Sequence, residues 1–252
     1  VYSPPHFTWM DTNYPAGTPR EGYPVEIQAL WIASLRLVAR RIDAEWNALA
    51  ERAAVSLARW FTLPDGALAD CLRATAGVPA ARAVPEDTVR PNQLLAVTLG
   101  ALLERGREVA VIRACEGLLV PGAIRSLADR PVDADMGVAH NGVPLNDPHR
   151  PYQGRYAGDE DTRRKPAYHN GTAWTWQFPL YVEALVKVYG PEARATGLGL
   201  LGSSVELLNT GCLGHTPEIC DGDAPHAARG CGAQAWGVSE LLRVWKKIAD
   251  PA

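Results

Sequence analysis

The sequence predicts an all-α fold, and three observations carry that prediction. Strand signals are scarce. Long segments with apolar residues at helical spacing recur between polar loops rich in Pro and Gly. The connections alternate between very short, such as RGRE at 105–108, and very long, such as the stretch from about 121 to 171. The first helix is expected over 25–42, VEIQALWIASLRLVARRI, which opens with Glu26 and ends in Arg36, Arg40 and Arg41, the charge order that a helix macrodipole favours. It is apolar on almost every face, as suits a helix packed between two neighbours. Further helices are expected at 45–61, 90–104, 107–119, 172–189, 191–209 and 228–248. Segment 62–89 has no clear periodicity and reads as a short hairpin or irregular loop. Alternating tight and long connections suit helical hairpins with their working loops gathered at one end.

Length and composition set the class. A chain of 252 residues has room for one sizeable core, so one domain is expected over 1–252. A net charge of -3 with both signs interspersed argues against nucleic acid or a membrane surface as partner, and favours a neutral or weakly charged ligand. The five cysteines, Cys71, Cys115, Cys212, Cys220 and Cys231, are odd in number and widely spaced, which points to reduced thiols and a cytoplasmic location. The chain begins at Val1 in the loop-like VYSPPHFTWMD, without an initiator Met, so it is expected to be N-terminally incomplete.

Four loop segments concentrate aromatic, amide and charged residues: 7–26, 90–93, 153–176 and 215–236. Two of them hold an isolated acid beside Trp, Pro or Gly, namely Asp11 after Trp9 and Glu218 after Pro217. Trp9, Trp31, Trp174, Trp176 and Trp236 supply flat apolar surfaces, while Arg20, Asn92, Gln93, Arg163, His169 and Gln234 supply hydrogen-bonding groups. Sugars demand this mixture, because a pyranose ring stacks on an aromatic face while its hydroxyls need amides and charged groups. Hydrolysis of a glycosidic bond then needs two carboxyl groups, one to protonate the leaving oxygen and one to activate water. The competing readings are a solvated acid or helix cap for each carboxylate, and core packing for Trp46, Trp60 and Trp245. Cys212, His215, Cys220, His226 and Cys231 could supply metal ligands, but their spacing matches no common zinc pattern. No metal and no cofactor is expected. Phosphate-binding glycine motifs are absent, and Ser203 and Ser204 lie inside an expected helix rather than at a nucleophile elbow.

Taken together, TWMD at 8–11, TPREGYPVEIQALW at 18–31, RPNQLLAV at 90–97, IRSL at 124–127, YHNGTAWTW at 168–176 and EICDGDAPHAARGCGAQAWGVSELLR at 218–243 resemble the amylo-α-1,6-glucosidase domain of glycogen debranching enzymes, of the bacterial and archaeal type. The resemblance runs from residue 8 to about 244. It implies an (α/α)6 toroid of which the C-terminal seven helices are present as an open arc. It also implies inverting hydrolysis of α-1,6-linked glucose at the branch stubs of glycogen-like glucans. By position, the general acid would be Asp11 and the general base Glu218, with Trp9, Arg20, Asn92, Gln93, His169, Trp174 and Gln234 bordering the sugar. The family usually shows HQG where this chain has His169-Asn170-Gly171, and WPW where it has Trp174-Thr175-Trp176. The implied partners are a glucan or oligosaccharide substrate and the missing N-terminal part of the same protein. Two other functions stay open: an exo-acting hydrolase of another α-linked sugar such as trehalose or a glucosyl or mannosyl oligosaccharide, and a non-catalytic glucan-binding fragment.

Overall fold

The computed structural model describes residues 1–12, 18 and 20–250, so part of the 7–26 loop and Pro19 of the second motif lie outside the described residues. The fold is mixed α and β, which overturns the all-α prediction and with it the seven-helix arc of an (α/α)6 toroid. In chain order, β1 (Gly22–Pro24) runs into α1 (Val25–Arg41) and α2 (Trp46–Phe61). Next come β2 (Cys71–Arg73), β3 (Val84–Pro85), a 3-10 turn at Pro91–Gln93, α3 (Leu94–Thr98) and α4 (Arg105–Glu116). The expected long loop holds β4 (Leu119–Val120), β5 (Ala123–Arg125), β6 (Ala139–His140), β7 (Val143–Pro144), a π-helical turn at Glu160–Arg164 and α5 (Lys165–Tyr168). The remainder is β8 (Ala173–Trp174), α6 (Phe178–Tyr189), α7 (Arg194–Gly202), α8 (Val205–Leu208), β9 (Ile219–Cys220), β10 (Ala228–Arg229) and α9 (Ala235–Ala249).

The strands form antiparallel sheets in the orders β1-β2-β3, β10-β9-β8-β5-β4 and β6-β7. Each strand has two or three residues, too few to display an alternating pattern, and this is why the sequence does not announce them. Their role is to pair the backbone amides and carbonyls of segments that are partly buried, which would otherwise lose their hydrogen bonds to water.

The helices follow from burial spacing. Ala50, Ala54, Leu57 and Phe61 recur at three and four residues along α2, as do Leu241, Val244 and Ile248 along α9. Val25, Ala29, Ile32 and Leu35 do the same on α1, which packs on α2 and α3, while α6 packs on α3, α4, α7 and α9. These faces enclose one large hydrophobic cluster. Trp60 packs against it, but Trp46 and Trp245 are 43% and 40% exposed, so neither is the core residue that helical spacing suggests. Leu30, Trp31 and Leu37 leave one side of α1 exposed. The expected helices at 90–104, 172–189, 191–209 and 228–248 are each interrupted: a turn, a strand or a break takes part of each segment.

A second, polar core ties the N-terminal segment to this frame. Arg20, 2% exposed, donates from Nε to Asp70 Oδ2 at 2.6 Å, and from its two terminal nitrogens to the Glu26 carboxylate at 2.5 and 2.6 Å. Arg90 reaches the same Asp70 oxygen at 3.5 Å, and Asn92 Nδ2 donates to Asp70 Oδ1 at 2.8 Å. Burial of an ion is tolerable only when it is paired, and removing one partner strands the others. Asp70→Asn is therefore expected to destabilise the protein by about 3–5 kcal/mol. Thermal unfolding should record this as a fall in Tm of about 6–20 °C; an unchanged Tm would show that Asp70 does not hold the two guanidiniums.

Candidate active site

Three segments distant in sequence meet at one place. Glu218 stands at the entrance to β9, with its backbone fixed on both sides: its amide donates to Cys231 O at 2.8 Å, and its carbonyl accepts from Thr175 N at 3.3 Å. Thr175 Oγ1 also donates to Pro217 O at 2.7 Å. The half-buried Glu218 side chain meets three donors. Tyr168 Oη at 2.5 Å and Gln234 Nε2 at 3.0 Å donate to Oε1, and Cys231 N at 3.0 Å donates to Oε2. A carboxylate has about four acceptor positions. One position, on Oε2, has no partner among the described residues. Gly230, at φ +66°, passes so close that a Cβ there would sit 2.3 Å from Oε2, so only glycine leaves room for the carboxylate.

Tyr168 closes α5, with its ring 4.9 Å from Trp174, 4.7 Å from His169 and 5.4 Å from Tyr156. Burial, then the hydrogen bond to Glu218, push its phenol above the ordinary value; the charges of Glu218, Tyr156 and Asp11 act in the same direction. The two candidate carboxylates thus both act on one hydroxyl, which stays protonated and serves as a donor. Asp11 itself is exposed and follows the buried Met10. Trp9 anchors this segment by donating from Nε1 to Asn92 Oδ1 at 2.8 Å. Its ring meets His169, Trp174 and Trp176 edge-on at 5.1, 4.9 and 5.1 Å.

The remaining candidates divide into two groups. Gln234 touches Glu218, whereas Trp174 and His169, 3% and 1% exposed, form a buried aromatic layer behind Tyr168 and Trp9, stacked at 5.1 Å with an interplanar angle of 6°. Arg20, Asn92 and Gln93 lie behind the Asp11 segment with their polar groups taken up by the protein. Asn92 bonds Asp70, Met10, Trp9 and Gln177, whereas Gln93 accepts from Leu68 N and donates to Arg90 O. The geometry adds Tyr168 and Tyr156, which lie in the 153–176 segment but stand out there only through tertiary structure, because the contact between Tyr168 and Glu218 spans fifty residues. It also stacks Trp176 on Trp236 at 3.9 Å, beside a cavity of about 360 Å³ that Trp9 shares. Among the described residues no helix is long and apolar enough to cross a membrane.

The family model described as amylo-alpha-1,6-glucosidase matches residues 3–243. Comparison with curated proteins gives no match.

His169 offers a stability signature for the site. It is 1% exposed, and neither ring nitrogen has a hydrogen-bond partner among the described residues. Burial first, then the charges of Arg90 and Arg20, hold its imidazole well below the ordinary 6.5, so the folded protein keeps it neutral. The unfolded chain takes up that proton below pH 6.5 and the folded protein does not, so the stability is intact above pH 6.5 and declines below it. The slope approaches about 1.4 kcal/mol per pH unit. Denaturant titrations of the parent and His169→Phe from pH 7.5 to 5 should diverge by this slope on the acid side only; parallel curves would mean that His169 does take up a proton in the fold.

Proposed function

The chain belongs to the amylo-alpha-1,6-glucosidase family, which places it among glycoside hydrolases of the glycogen-debranching type, and from that premise we propose that it removes α-1,6-linked glucose from branched glucans with inversion at the anomeric carbon. Asp11 is the proposed general acid and Glu218 the proposed general base. The observation that carries this reading is the environment of Glu218: a carboxylate held by three donors, with one acceptor position on Oε2 left over among the described residues. That position suits a water molecule. The buried Gln234 Oε1, which has no partner among the described residues, offers an acceptor close by.

In the proposed reaction the Asp11 carboxyl gives its proton to the glycosidic oxygen as the bond from the anomeric carbon to that oxygen breaks. Water bonds to the anomeric carbon from the opposite face and passes a proton to Glu218. Products are glucose in the inverted β form and a glucan whose 6-hydroxyl is free. Two carboxyl groups used in this way stand about 6.5–9.5 Å apart, leaving room for the water. Tyr168 positions the base through its hydrogen bond and carries no proton in the reaction. Trp9, which is half-buried, offers an indole surface against which a pyranose can pack, and Trp174, 3% exposed, braces that indole from the core.

The test measures glucose released from an α-1,6-branched limit dextrin, with isomaltose and trehalose alongside, and follows the first-formed anomer by proton NMR. Glu218→Gln and Asp11→Asn are expected to lower kcat by about 10²–10⁴-fold with Tm retained. Tyr168→Phe should lower it by about ten-fold, the size of one lost hydrogen bond to a charged group. Unchanged rates in both acid variants would remove these residues from the chemistry. Release from trehalose alone would transfer the site to a different α-linked sugar, and initial α-glucose would rule out inversion.

A further inference from the structure

Away from Glu218, an open cleft of about 580 Å³ is bordered by Asp129, Tyr152, Gln153, Arg155, Arg163 and Asp223. Its volume falls in the range of small-molecule sites. The segment 152–156 separates it from the candidate active site. At one end of that segment Tyr156 packs on Tyr168, with its amide held by Asp221 Oδ1 at 2.8 Å, while at the other Tyr152 and Gln153 border the cleft. Asp221 and Asp223 follow β9, which Glu218 precedes, so both sites are built on one short stretch of chain.

The lining is organised rather than a scatter of solvated charges. Tyr152 Oη donates to Asp223 Oδ1 at 2.9 Å, and this pair lies flat on the backbone of Gly154. A Cβ at Gly154 would stand 2.3 Å from Asp223 Oδ1 and 2.4 Å from Tyr152 Oη, so glycine is what lets the pair sit there. Gly222 N donates to Gly154 O at 2.6 Å, which locks the two strands of chain together beneath it. Burial, then the hydrogen bond to Asp223, raise the Tyr152 phenol above its ordinary value, keeping it a donor. The Gln153 side-chain nitrogen Nε2 is buried without a partner among the described residues. Arg155, Arg163 and Asp129 are exposed, and among the described residues none of them forms an ion pair.

Two carboxylates and two guanidiniums cancel in charge, so the cleft favours neither an anion nor a cation. Each of these groups can engage two adjacent hydroxyls at once. We propose that this cleft is a second glucan-binding site, which holds the α-1,4-linked chain of the substrate while its branch glucose occupies the site at Glu218. The ligand class rests on the function proposed above, and the binding itself can be measured without catalysis.

The experiment titrates maltoheptaose into the parent protein and into Glu218→Gln by calorimetry, and repeats both titrations with Asp129→Ala, Arg155→Ala and Arg163→Ala combined. These three side chains are exposed, and thermal unfolding checks that the variant folds like the parent. Loss of hydrogen bonds to charged groups is expected to weaken maltoheptaose binding by at least about ten-fold in both backgrounds. In the active protein, KM for limit dextrin should rise by about the same factor with kcat retained, and turnover of isomaltose, too short to reach the cleft, should stay within about two-fold. Equal affinity in the triple variant, no maltoheptaose binding by the parent, or displacement of maltoheptaose by inorganic phosphate would overturn the proposal. Absence of glucose release with intact, cleft-dependent maltoheptaose binding would instead sink the hydrolase reading and leave the cleft standing.

Discussion

The carboxylate of Asp70, buried between the guanidiniums of Arg20 and Arg90, is the constraint on which the candidate site depends. Each neighbour of Asp70 leads to a different part of the site. Arg20 continues to Thr8 Oγ1, three residues before Asp11, and to Glu26 at the start of α1. Arg90 donates to the carbonyls of Ser126 and His169 and to Asn170 Oδ1 at 2.9 Å, which fixes the turn after Tyr168. Asn92 links Asp70 to Trp9, Met10 and Gln177. Apolar side chains of the same volume could pack this region with as much stability, since desolvation consumes most of the attraction within a buried ion set. They would not fix direction. A fork of N–H donors aimed at two carboxylates sets the orientation of the Asp11 segment in a way that methyl groups cannot.

Glu218 is held by different means. Its backbone enters the ladder of β9, its carboxylate accepts from a main-chain amide, and the residue opposite is a glycine because a side chain would take the same space. Strands of two residues contribute little stability alone. Five of them side by side present Trp174 on β8 and Glu218 beside β9 at a fixed offset, with Trp174 paired to Ile219. The sheet is therefore a positioning device for loops that the sequence presents only as Gly- and Pro-rich connections.

This explains what could be read from the sequence and what could not. Helices α1 and α2 were legible almost to their ends, because their apolar spacing and terminal charges are local properties. The sheets were not, because strands of two or three residues are too short to show alternation, and the pairings of β1 with β2, β5 with β8 and β8 with β9 join residues 45–51 positions apart, which leaves no local trace. The candidate acids were named from the order of their motifs. The polar residues Arg20, Asn92 and Gln93 were legible as unusual, but whether such groups face a ligand or one another depends on tertiary contacts, and here they bond within the protein. Tyr168 shows the reverse case: an ordinary tyrosine in sequence becomes a donor to Glu218 only when α5 and β9 are brought together.

The two anchored halves, one carrying Asp11 and the other Glu218, meet around the indole of Trp9. Its N–H is committed to Asn92, so the ring cannot turn without losing a buried hydrogen bond, and its ring meets His169, Trp174 and Trp176 edge-on. Edge-to-face contacts between planar rings are stiff in angle and add about 0.5–1.5 kcal/mol each beyond burial. The segments that carry the two candidate acids are thereby braced by rigid groups with few rotamers rather than by long flexible side chains. A neutral His169 belongs to the same logic. A charged imidazole stacked on Trp174, with Arg90 and Arg20 as its neighbouring charges, would add repulsion where the packing most needs to be dry, and burial removes that charge.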